Sequence, residues 1–75
     1  MYIVLEIQTN IDGTVGTIIN SYHNREKAES RYHEVLMYAA MSALPIHSAS
    51  LLDNYGICIK NESFIHDKNQ EEPEI

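Results

Sequence analysis

Thiols are scarce in this 75-residue chain: Cys58 is its single cysteine. No intramolecular disulfide can form, which fits a reducing, intracellular setting and removes the staple on which small secreted domains rely. Basic charge is scarce as well. Arg25, Lys27, Arg31, Lys60 and Lys68 are set against eleven acidic residues, for a net charge of −6. A nucleic-acid binder carries a basic stripe, so no generic DNA or RNA binding is expected, and the acids are not arrayed regularly enough to mimic a nucleic acid. Long hydrophobic runs are missing too. No apolar stretch approaches the roughly 20 residues that span a bilayer. The opening run MYIVLEIQTN has no basic n-region and is interrupted at Glu6, unlike a secretory signal. The expectation is a cytoplasmic protein with no membrane partner.

What is present suits one small α+β domain over residues 1–66, followed by an acidic tail at 67–75 that reads as disordered. A chain of this length hides only about 60% of its unfolded surface, so its monomer is expected to be marginal. With no disulfide available, a partner chain becomes the default source of extra stability.

Tyr2 to Thr9 alternates with a period of two, the signature of a half-buried strand. Ile3, Leu5 and Ile7 form a purely aliphatic set expected to face a helix. Tyr2, Val4, Glu6 and Gln8 form the outer set. Asp12-Gly13 is a hairpin signal, and Thr14 to Tyr22 reads as the returning strand, with Gly16 marking a bulge or a close approach. Ile46 to Leu52 and Ile57 to Ile65 read as two more strands around the turn-rich Asp53-Asn54-Tyr55-Gly56. The fold class is ββαββ: a four-stranded, mainly antiparallel sheet with one long helix on one face.

That helix is expected from an Asn24 N-cap to about Leu44, where Pro45 forbids continuation. Ala28, Tyr32, Val35, Leu36, Ala39 and Ala43 fall on one stripe, the pattern of a core-facing side. The first half has a polar back. The second half does not, because Met37, Met41 and Leu44 lie opposite the core stripe. A helix apolar all round is normally buried all round. Met37, Tyr38, Met41 and Leu44 are therefore the expected interface of a homo-oligomer formed through the helix. The alternative is that loop or tail residues cover them.

Catalytic and metal motifs are not legible. His23, His33, His47 and His66 are too scattered for a zinc frame, so solvated or hydrogen-bonded imidazoles are expected and no metal or cofactor is implied. Cys58, between two isoleucines of a strand, reads as a partly buried structural thiol. Ser48 and Ser50 do not form a nucleophile with His47, and the DGTVG segment lacks the phosphate-loop frame. Arg25, Lys27 and Arg31 carry more meaning. All three lie in the first turns of the helix, where free N–H groups and the helix dipole favour an anion. The competing use of these charges is internal, with Arg25 pairing with Glu29 and Arg31 with Glu34. Tyr2 and Tyr22, on the presumed open face, are candidates to stack a ring, against ordinary cross-strand packing.

MYIVLEIQTN, DGTVG, AESRYHEVL, SALPIHSASLLD and IKNESF together resemble a group of small proteins of phages and prophages from Gram-positive gut bacteria. The resemblance spans about residues 1–66. It brings no established catalytic residues. It implies an accessory or counter-defence factor acting in the host bacterial cytoplasm. The leading expectation is a non-enzymatic, oligomeric binding protein that sequesters a small anionic, nucleotide-like ligand, with Arg25, Lys27, Arg31, Tyr2 and Tyr22 as the contacts. The alternative is a protein–protein module that inhibits a host protein or serves as a small structural or regulatory component.

Overall fold

Two aspartates shape the hairpins of the computed structural model, which describes residues 1–66. The tail expected at 67–75 lies outside the described residues. Asp12 Oδ1 accepts from the Thr14 amide at 3.0 Å and the Thr14 hydroxyl at 2.7 Å. Gly13, at φ 91°, takes the left-handed conformation that closes the loop. Asp53 Oδ1 likewise accepts from the Tyr55 and Ile57 amides at 2.9 and 3.0 Å, beside Gly56 at φ 83°. These turns connect strands β1 (Tyr2–Thr9) to β2 (Val15–Tyr22) and β3 (Ile46–Asp53) to β4 (Cys58–Ile65), with helix α1 (Arg25–Ala40) between the hairpins.

The four strands form one sheet in the order β2-β1-β3-β4, with every neighbouring pair antiparallel. The second hairpin therefore pairs beside the first within the chain, through β1 and β3. Gly16 sits in regular register opposite Gln8. The irregularity falls instead between Leu51 and Leu52, where β4 bulges. The bulge lets Ile59 pack against the core while Lys60 reaches Glu29 on α1 at 3.7 Å.

The Asn24 side chain accepts from the Glu26 and Lys27 amides at 2.7 and 3.2 Å and starts α1. Ala28, Tyr32, Val35 and Ala39 are buried against Val4, Ala49 and Leu51, with Leu36 partly so. The expected end of the helix is corrected: it stops at Ala40, not Leu44. The amides of Met41 and Ser42 turn back to the Tyr38 and Ala39 carbonyls, and Ser42 Oγ takes the Leu44 amide at 3.0 Å. A serine that offers the backbone a local partner competes with the next helical turn, and Pro45 excludes helical backbone at Leu44. His66 Nε2 then donates to the same Ala39 carbonyl at 2.9 Å, a second donor on an acceptor of the last helical turn. Ala43 is consequently exposed and outside the core. Met41 and Leu44 belong to the connection rather than to a helical face.

A second correction concerns β1. Its covered residues are Val4 and Glu6, at 0% and 7% exposure, whereas Ile3, Leu5 and Ile7 lie on the opposite, open face. Both sets contain aliphatic residues, so alternation alone did not choose between them. The choice comes from β3, whose His47, Ala49 and Leu51 pair with Gln8, Glu6 and Val4 and share their side of the sheet.

Because Leu51 is fully buried in a core this small, Leu51→Ala is expected to lower unfolding free energy by about 3 kcal/mol. Asn24→Ala, which removes only the cap, is expected to cost about 1 kcal/mol. Urea titrations followed by circular dichroism will rank the two.

Candidate functional site

Glu6 and His47 come from the two central strands and meet beneath the helix. His47 Nε2 lies 2.6 Å from Glu6 Oε2, and the side chains are 5% and 9% exposed. Gln8 Nε2 donates to the same carboxylate oxygen at 2.9 Å. Burial pushes the Glu6 carboxyl upward, but the hydrogen bonds from Gln8 and His47, and then the charges of His47 and Arg31, outweigh it, and the group is held below its ordinary value. His47 Nδ1 is buried and has no hydrogen-bond partner among the described residues. This is an acid–base pair by composition. Its position makes it a clamp, because it ties the first hairpin to the second and is closed over by α1. Ser48 and Ser50, the nearest hydroxyls in sequence, belong to the other face of the sheet.

The pair had a signal in the sequence. Glu6 shares its period-two set with Val4, and His47 shares its set with Ala49 and Leu51. Two polar residues at inward positions of adjacent central strands need each other. What the sequence lacked was the pairing of β1 with β3.

The basic cluster adopts its internal pairing. Arg25 Nε donates to Glu29 at 3.0 Å and Arg31 to Glu34 at 3.0 Å. The Glu34 hydrogen bond raises the Arg31 guanidinium above its usual value. Lys27 is exposed on the same helix flank as Arg31. Tyr2 and Tyr22 stand directly opposite one another on β1 and β2. They lie on the helix-covered side, partly buried against the core, and not on an open aromatic face. Tyr22 is near enough to add, after Glu34, a small part to the raised value of Arg31. The structure thus brings Arg31 and Tyr22 together on one flank and directs Arg25 toward Glu29 and the β4 side.

The helix covers β1 and β3 and leaves β2 largely bare. Ile18, on the helix side opposite Glu6, is still 44% exposed. The open face is broader. Across it the rungs read Ser21–Ile3–Leu52–Cys58, Ile19–Leu5–Ser50–Asn61, Thr17–Ile7–Ser48–Ser63 and Val15–Thr9–Ile46–Ile65. No rung contains a charged residue. Cys58 lies here exposed, donating weakly to the Lys60 carbonyl at 3.3 Å, and is not the partly buried thiol expected. On the helix, Met37 and Tyr38 are about half exposed, at 54% and 51%, and Met41 is 75% exposed. No helix among the described residues is long and apolar enough to cross a membrane.

The depressed Glu6 carboxyl makes a signed prediction. A group with a lowered folded-state value stabilises above its unfolded value and loses that contribution as pH falls through the folded one. The stability gap between the wild type and Glu6→Gln is therefore expected at neutral pH and to close below about pH 4.5, the ordinary value. His47→Ala, which strands a buried carboxylate, is expected to cost about 3 kcal/mol at pH 7. Denaturant midpoints measured from pH 7 to pH 3 will test both. Compared with protein-family models, curated proteins and solved structures, the chain matches none.

Proposed function

We propose that the chain is a non-enzymatic binding protein that works by stoichiometric association through a protein interface. The carrying observation is the open sheet face: aliphatic along Ile3, Leu5 and Ile7 of β1, with Leu52, Ile19 and small serines beside them, and without charge in any rung. Apolar surface of this extent beside a small core favours burial in a complex. The Glu6–His47 pair supports the non-enzymatic part of the reading, since at 7% and 4% exposure it is out of reach of a substrate. The resemblance to phage and prophage proteins supplies a setting, a counter-defence or accessory factor in a host bacterial cytoplasm.

A small anionic ligand is the second reading. Lys27 and Arg31 on one helix flank, with Tyr22 below, favour it. The ion pairs to Glu29 and Glu34 count against it, because an incoming phosphate has to displace a carboxylate already held at 3.0 Å.

Two measurements separate the readings. Tagged wild-type chain and its Ile19→Lys variant, used as paired baits, are expected to differ in a retained protein that only the wild type holds. Identical retention by both sinks the interface reading. A melting-temperature increase with inorganic phosphate or cyclic nucleotides that disappears in Arg31→Ala establishes the anion reading instead.

A further inference from the structure

We infer that the open sheet face is the contact between two copies of this chain, packed sheet on sheet, and that the helix is not the contact. The inference rests on the protein-interface reading above and names its partner. Charge argues for a second copy. Each copy carries a net charge of −6, so copies repel least where they meet on a surface without charge, which keeps the carboxylates apart and screened by salt, and the open face is the surface of the sheet that meets this condition. A basic partner evolved to meet an acidic protein finds no carboxylate here. The helix side, by contrast, carries Glu26, Glu29 and Glu34.

Size argues the same way. Strands of eight residues in a four-stranded sheet measure about 26 Å by 19 Å, a footprint of roughly 500 Å² before side-chain relief. A standard stable interface takes about 800 Å² of accessible surface from each partner. The whole corrugated face is of that order, whereas one exposed side of a sixteen-residue helix is not. The side chains fit the role. Ile3, Leu5 and Ile7 on β1 form a central ridge with Leu52 and Ile19 beside it, and the serines of β3 and β4 leave a shallower half. A two-fold axis sets the ridge of one copy against the shallow half of the other, as stacked sheets interdigitate at a spacing of about 10 Å. Both helices then lie on the outside, and any ligand of the Lys27–Arg31 flank binds twice per dimer.

Sedimentation equilibrium of the full chain decides the matter. The expected mass is twice the 8.6 kDa of one chain. Leu5→Lys sits on a central strand, away from both sheet edges, and is expected to raise the dimer dissociation constant by about a hundredfold or more, because like charges then face each other across the axis. Ile19→Lys is 64% exposed in the single chain, so it keeps the monomer folded if Leu5→Lys does not, and it is expected to weaken the dimer similarly. Met37→Lys, on the helix, is expected to leave it intact. A dimer that survives both sheet variants and dissociates with Met37→Lys overturns the inference in favour of the helix. A dimer broken by Ile19→Lys and untouched by a folded Leu5→Lys assigns the contact to the β2 edge and overturns it too. A monomer at all concentrations, with a host protein lost from the Ile19→Lys bait, overturns the second copy while keeping the protein interface. A monomer with identical bait profiles removes both.

Discussion

A single helix has to cover a sheet about twice its width. An α-helix with side chains is about 10 Å across, while four strands span about 19 Å. Lengthwise the match is close, since sixteen helical residues and eight strand residues both extend about 25 Å. The helix therefore settles over β1 and β3, and the flanks of the molecule follow from that placement. β2 is bare on its helix side, as Ile18 shows. β4 is reached only because its bulge turns Ile59 and Lys60 toward α1. The other face receives no cover from the described residues. What is fully buried is correspondingly modest, with Leu51, Val4 and Val35 the largest such side chains.

A core that small gives weight to the polar clamp within it. Glu6 and His47 bridge strands that belong to different hairpins, and among the described residues β1 with β3 is the strand pairing that joins those hairpins. An apolar pair at the same place would bury more hydrophobic surface, and replacing buried ionic pairs in this way is often neutral or stabilising. Geometry is what a hydrogen-bonded pair adds. A one-residue slip of β3 against β1 would turn His47 to the open face and leave the Glu6 carboxylate buried without it. The clamp thus acts on register, the property on which the composition of both faces depends. His66 performs a related task at the C-terminal end of the helix, where its ring meets the Ala39 carbonyl and its amide the Pro45 carbonyl at 2.7 Å. These two histidines hold hairpins and helix together.

Much of the architecture was legible in order along the chain. Period-two runs, two Asp-containing turns, an Asn cap and a proline stop place the elements, and their sequence is the ββαββ order found. Local signals of this kind act over a few residues and survive without tertiary context. The facing of β1 was not legible, because Tyr2 and Val4 on one side and Ile3, Leu5 and Ile7 on the other both offer apolar surface. The purely aliphatic set has the pattern of a core, and it lies half-buried on the open face. The error carried into the site: Tyr2 and Tyr22 moved from an open face to the edge of the core, and Glu6 moved from solvent to the interior. The end of α1 was lost to a similarly local competitor, the Ser42 hydroxyl acting one turn before the proline. The basic cluster shows the opposite case. Its spacing of i, i+4 and i, i+3 already specified the pairs with Glu29 and Glu34 that the structure contains.

The apolar excess in the second half of the helix takes its meaning from the facing of β1. If Ile3, Leu5 and Ile7 had been the core, the sheet's outer face would have carried Glu6 and Gln8, and the helix would have been the one large uncovered apolar surface. With those three residues outside, the sheet presents the broader and less charged surface. The helix back is reduced to a small patch of Met37, Tyr38 and the C-cap residue Met41. A few exposed hydrophobics are ordinary on a small protein, whereas a continuous uncharged face is a cost to solubility unless something covers it. The need for a partner seen from the helix thus applies with more surface to the sheet, and that is why the sheet face carries the proposal.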